Sequence, residues 1–172
     1  MAELFRKEIW IHMSKEKDVK TNAMRILEQL KIPYQTHTYE CKEFIDGVTL
    51  ANQLGIPHEI TYKTLVTVGK SKNYYVFVIP IEKEIDRKKA AKIVAEKSIE
   101  MIHVKDINMV TGYIRGCCTA IGMKKQYKTV VDSSFEQIDR IIVSGGKLGV
   151  QLELKAADYL KACKGIVADV CV

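Results

Sequence analysis

Among the residues able to carry chemistry, Lys63 has the most unusual setting. It lies in the run Tyr62-Lys63-Thr64-Leu65-Val66-Thr67-Val68, rich in β-branched and aromatic residues. Strand alternation puts it on one face with Leu65 and Thr67, while Tyr62, Thr64 and Val66 take the other. An ammonium on such a face is costly unless water or an anion meets it. Two readings are therefore open. Either Lys63 stands at the strand's mouth in water, or it sits at a cavity rim and holds a phosphate, a ribose or a developing oxyanion. The second concentration is Thr111 to Gly122, with three glycines at Gly112, Gly116 and Gly122 inside eleven positions. Glycine lets backbone approach a ligand, and free N–H groups there suit a carbonyl or phosphate oxygen, although an irregular surface loop has the same composition.

Other chemistries find little support. His12, His37, His58 and His103 form no i, i+4 pair and no cysteine stands at zinc-ligand spacing, so no metal and no cofactor are expected. Gly145-Gly146-Lys147-Leu148 lacks the spacing and the Ser or Thr of a Walker loop and reads as a tight turn between strands. Cys117 and Cys118 have no base beside them in sequence, and free cysteine often serves as a small buried apolar group. His37 falls on a strand, where a surface or hydrogen-bonded core histidine is the simpler reading.

Helices and strands must position these residues. The pattern predicts a helix over 20–30 capped by Thr21 or Asn22 and stopped before Pro33, then a strand over 34–39. A second helix is expected over 46–54, with Thr49 as its cap and Gly55 as its stop. Strands 62–68 and 74–81 flank a basic turn and read as a hairpin. Asp86 caps a predicted helix reaching Lys97, whose Arg87, Lys88, Lys92 and Lys97 form a polar face opposite Ala90, Ile93 and Val94; a solvated face is its simplest reading. A turn-rich segment over 111–122 precedes strands near 127–131, 140–143 and 150–154, a helix over 156–163 and a strand over 166–172. Interleaved helices and strands without repeat or linker describe one α+β domain.

Composition is compatible with that reading. A chain of 172 residues that is 47% apolar can bury one ordinary core. No apolar run approaches the roughly 20 residues of a membrane helix. The first twelve residues lack a signal peptide's apolar core and read either as a flexible extension or as sequence upstream of an alternative start at Met13, so residues 1–19 are set apart from a domain over 20–172. Five cysteines without CxxC spacing fit a reducing, cytoplasmic setting. The net charge of +6 favours an anionic partner.

Five ordered blocks carry a family resemblance: Lys20-Thr21-Asn22-Ala23; His37-Thr38-Tyr39-Glu40; Tyr62-Lys63-Thr64-Leu65-Val66; Thr111-Gly112-Tyr113 with Gly116 and Ile121-Gly122-Met123-Lys124-Lys125; and Val143-Ser144-Gly145-Gly146-Lys147 with Leu152-Glu153-Leu154. In these the chain resembles the YbaK family of aminoacyl-tRNA deacylases, free-standing relatives of the editing domain of bacterial prolyl-tRNA synthetase. The resemblance implies a barrel-like mixed sheet flanked by helices and a cavity for the aminoacylated end of tRNA, with prolyl-tRNA synthetase as a possible partner. It implies hydrolysis of mischarged aminoacyl-tRNA, Cys-tRNA(Pro) first, through attack by the substrate's own thiol. A sibling that releases alanine or another small residue, and a non-catalytic module binding tRNA or a synthetase, are the alternatives.

By the same resemblance Lys63 matches the family's essential lysine and Gly116 its backbone contact near the scissile ester. Thr64, Tyr39 and Ser144 match substrate-binding positions, as does Gln151, where close cysteine-specific relatives carry aspartate. Cys117 replaces a usual glycine, Ala120 a usual proline and Leu148 a frequent arginine. The family's phenylalanine before the second helix falls at Asp46 in an ungapped match, with Phe44 nearby.

Overall fold

The computed structural model describes residues 19–172. The extension proposed over 1–19 lies outside the described residues except for its last position. The chain opens with α1 (Asn22–Gln29), whose N-cap Thr21 accepts from Met24 N–H, and β1 (Gln35–Thr38). Helix α2 (Gly47–Leu54) ends at Gly55 in left-handed conformation. Its cap is Asp46, whose carboxylate accepts from both the N–H and the hydroxyl of Thr49 (3.0 and 2.6 Å), so the predicted cap Thr49 is instead a first-turn residue.

The hairpin β2 (Tyr62–Gly69) and β3 (Tyr74–Pro80) follows with Lys63 opposite Ile79. Helix α3 (Arg87–Ile93) is capped by Asp86 and stops short of the predicted Lys97, because Ala95 turns left-handed. Strand β4 (Ile99–Met101) and α4 (Ile107–Thr111) occupy sequence that gave no periodic signal. The chain closes with β5 (Lys128–Asp132), β6 (Arg140–Ser144), β7 (Val150–Lys155), α5 (Ala156–Cys163) and β8 (Ile166–Ala168). The last strand is shorter than expected, since Cys171 forms only an isolated bridge to Ile85.

The mixed sheet of the α+β fold is present but divided. Five strands run in the order β4-β2-β3-β5-β8, antiparallel on the β2 side and parallel from β3 to β8, and three antiparallel strands run β1-β7-β6. Among the described residues a single parallel bridge, Thr61 to Ile142, links the two, so the barrel does not close. The main core lies between the sheets, where Tyr62, Val76, Val78, Val143, Leu152 and Tyr159 meet α1 and α5. On the other face of the larger sheet, Phe77 and Ile79 pack against Ala90 of α3 and its C-cap Val94. A third cluster joins Ile142 to α2 through Ala51, Ile56 and Ile81.

Candidate active site

The unfinished closure makes a cavity. β4 pairs with β2 only from Thr67 to Gly69, Ile102 N–H adds one bond to the Val66 carbonyl (3.2 Å), and the next link on that edge is the Thr61 bridge to Ile142. Between these two points the edge of β2 opens onto a cavity of about 400 Å³, within the range of small-molecule sites. Its walls are the first half of β2, the inner side of α2, the segment from Met101 to Ile107, the turn around Gly116, and the ends of β6 and β7 at Ser144 and Gln151.

Five of the six residues singled out from the sequence, Lys63, Thr64, Gly116, Ser144 and Gln151, line this one cavity, although they come from four separate stretches of chain. The Lys63 side chain is 31% exposed and its Nζ lies 3.9 Å from Glu84, itself 83% exposed. A pair so long and so wet leaves the ammonium nearly free to meet another anion. Tyr39 is not among the lining residues. Burial pushes its phenol above the ordinary value, and the polar side chain of the neighbouring Gln151 opposes that shift. Register places Gln151 opposite both Ser144 and His37.

Gly116 has φ +82, and a Cβ there would come within 2.5 Å of Phe44 Cδ2, so glycine is required both by conformation and by space. Its turn is closed by Cys117 N–H donating to the Ile114 carbonyl (3.0 Å), one residue beyond Gly116. The Phe44 ring also carries the Arg115 guanidinium at 4.6 Å from its centroid, and both side chains line the cavity. Phe44 is therefore the phenylalanine of this site, and Asp46 has the different work of capping α2. The sequence pointed to neither the Phe44–Arg115 contact nor the apolar wall from Met101 to Ile107, because both depend on pieces of chain far apart.

Among the described residues the lining holds no aspartate, glutamate or histidine. Cys118 reaches it, but burial raises its thiol, and burial pushes the neighbouring Cys117 up to about 11, so neither is a thiolate near neutrality. His37 is engaged elsewhere, 3.0 Å from Glu153, which Arg140 also holds at 2.7 Å. Among the described residues no group of three or more His, Cys, Asp or Glu could hold a metal ion, and no helix is long and apolar enough to cross a membrane. The cavity thus offers two cations, backbone N–H groups, hydroxyls and an amide in an apolar wall. It can orient and polarise a ligand, and among the described residues no carboxylate or imidazole of the lining stands ready as a general base.

Similarity to known proteins agrees with this geometry. Residues 46–162 match the family described as Aminoacyl-tRNA editing domain. A curated Enterococcus faecalis protein, provisionally named Cys-tRNA(Pro)/Cys-tRNA(Cys) deacylase EbsC, is 44% identical over 160 residues, spanning 92% of this chain and 98% of its own. Among solved structures, a protein provisionally described as a trans-editing enzyme for prolyl tRNA synthetase aligns with TM-score 0.75 at 17% identity, over 90% of this chain and 99% of that one. A hypothetical protein of the same fold aligns with TM-score 0.79 at 18% identity, over 88% and 100%. At such identities the structural likenesses speak for the fold alone. The family match and the sequence relative carry the further conclusion: this chain belongs to the aminoacyl-tRNA editing-domain family, the YbaK-type group that its sequence resembles.

Proposed function

We propose that this protein is a trans-editing deacylase that releases cysteine from mischarged tRNA, Cys-tRNA(Pro) above all. The observation that carries the reading is a cavity sized for an esterified adenosine with polar groups on several sides and, among the described residues, no carboxylate or imidazole in its lining. An ester can be cleaved there only if the substrate brings its own nucleophile or a water is activated without a protein base. Cysteine brings one. Its sulfur attacks the ester carbonyl carbon, forming an S–C bond and an oxyanion. The C–O bond to ribose then breaks, the ribose oxygen takes the proton the thiol gave up, and water opens the resulting thiolactone to free cysteine.

In this reading the Gly116 N–H steadies the oxyanion and Lys63 holds the terminal adenosine or its phosphate. Thr64 and Ser144 shape the wall around the aminoacyl group, and Gln151, backed by Tyr39, accepts from its amino group. Alanine carries no thiol, so the absence of a base from the lining counts against a sibling that removes alanine with water. A synthetase that selects proline gains only about 1–3 kcal/mol against an amino acid of similar size, which is why a second site is needed. Nothing in the cavity reads the body of a tRNA, so Cys-tRNA(Cys) is also a substrate unless prolyl-tRNA synthetase, acting as a partner in the cytoplasm, presents the correct tRNA.

The test is release of amino acid from tRNA(Pro) charged with cysteine, serine or alanine. Rapid release from Cys-tRNA(Pro) and little from the other two is expected, since a hydroxyl is a poorer nucleophile than a thiol. Equal release of serine and cysteine would overturn the thiol mechanism.

A further inference from the structure

The Lys63 face of β2 is the face that α3 covers, and α3 begins beside Lys63 and ends beside the β2–β3 turn. At its start, Glu84 lies 3.9 Å from Lys63 Nζ, two residues before the cap Asp86. Beyond its end, Glu96 accepts from the Ser71 hydroxyl in that turn and from the Tyr75 hydroxyl (2.7 Å). Along this path Arg87, Lys88, Lys92 and Lys97 are exposed, and Lys70 and Lys72 stand exposed in the turn itself. None of these six cations has a carboxylate within 4.0 Å among the described residues, whereas their neighbour Lys89 is paired with Asp169 at 2.9 Å. Four of them surround a shallow groove of about 330 Å³ between α3 and Ile99. From Lys63 to Gly69 β2 spans about 20 Å at ~3.3 Å per residue, and Lys70 follows.

A solvated helix face usually mixes its charges, because unpaired like charges repel. Here the one acidic group in the groove, Glu96, is tied to the turn by hydrogen bonds, and the cations are left in a file that leads away from the candidate active site. We infer that this file is the track for the phosphates of the tRNA acceptor end: with the ester in the cavity, the unpaired 3′ strand runs from Lys63 along α3 and the acceptor stem begins near Lys70 and Lys72. The inference rests on the deacylase reading for its starting point. It adds where the RNA lies and which side chains hold it. Contact with phosphates alone gives affinity without sequence choice.

The experiment compares wild type with Lys88→Gln/Lys92→Gln, which changes no cavity residue. Binding of uncharged tRNA(Pro) is measured over a salt series, and deacylation is measured on Cys-tRNA(Pro) and on cysteinyl-adenosine, which has no phosphates to follow the track. We expect affinity for tRNA(Pro) to fall roughly tenfold near 0.15 M salt and the slope of log K against log salt to flatten by about 1.5 to 2. KM for Cys-tRNA(Pro) should rise in proportion while cysteinyl-adenosine is cleaved as by wild type. Unchanged affinity and slope would overturn the track, and so would an equal loss on cysteinyl-adenosine. If wild type cleaves neither ester, the deacylase reading fails, and the tRNA-binding series alone still decides whether α3 holds RNA.

Discussion

Gln151 and Glu153 project from the same face of β7, two residues apart, into opposite kinds of surroundings. Glu153 is 17% exposed and closed in by partners: Arg140 Nε donates to one oxygen at 2.7 Å and His37 Nε2 meets the other at 3.0 Å. Gln151 belongs to the cavity with Ser144, Thr64 and Lys63, where Glu84, 3.9 Å from the lysine, is too distant and exposed to settle it. The first cluster is satisfied by the protein itself, so its charges stabilise the small sheet. The second has loose partners, a 3.9 Å approach of Glu84 to Lys63 and a 3.4 Å bond from Gly146 N–H to Ser144, and so keeps capacity for a ligand, which is how polar groups suited to binding differ from polar groups suited to folding.

The contrast is broken most directly at Lys63. Lys63→Ala removes a cation with almost no structural partner, and we expect kcat/KM on Cys-tRNA(Pro) to fall by at least about 100-fold, with the melting temperature within a few degrees of wild type. Thermal melting beside a deacylation assay checks both halves. An active but unstable variant would place Lys63 with the structural cluster instead.

Gly116→Ala should show both kinds of cost. The new methyl meets Phe44 at a backbone φ of +82, so stability should drop by about 1–2 kcal/mol. Deacylation should drop more than about tenfold, as Phe44 and its Arg115 contact are pushed into the cavity. Denaturant unfolding and kinetics on one preparation separate the two.

For the closed cluster the signs reverse. Glu153→Ala strands Arg140 and His37, and we expect a loss of about 2 kcal/mol in unfolding free energy with deacylation per folded molecule unchanged. Loss of activity without loss of stability would extend the active site past Gln151.

How far these regions could be read from sequence follows from how local their causes are. The β2–β3 hairpin and α5 (Ala156–Cys163) are written in period-2 and period-3.6 patterns and stand where the patterns put them. Helix α3 was overextended because Val94 to Lys97 holds neither glycine nor proline, and what stops it is Ala95 turning left-handed. Helix α4, too short for a periodic signal, hides in the stretch before Gly112. Lys63 was conspicuous because a charge interrupts an apolar strand. Phe44 over Gly116, by contrast, follows from the meeting of two loops, and no spacing announces it. The gap between the two sheets was equally hidden, since each strand pattern fits a closed barrel as well as an open one.

The smallest effect tests the closed cluster by pH. Burial alone would raise the Glu153 carboxyl, but the hydrogen bonds and charges of Arg140 and His37 outweigh it, so its folded value lies below the ordinary glutamate value of about 4.3. The unfolded chain therefore takes up this proton at higher pH than the folded one. The stability the ionised form contributes is present in full above the unfolded value and is lost as pH falls through the folded one. Melting temperatures of wild type and Glu153→Gln measured from pH 6 down to pH 3 should accordingly differ most at pH 6 and converge as pH falls through the folded value. A gap that stays constant across that range would mean that the charge on Glu153 contributes nothing, and the cluster would then be held by packing rather than by the ion pair.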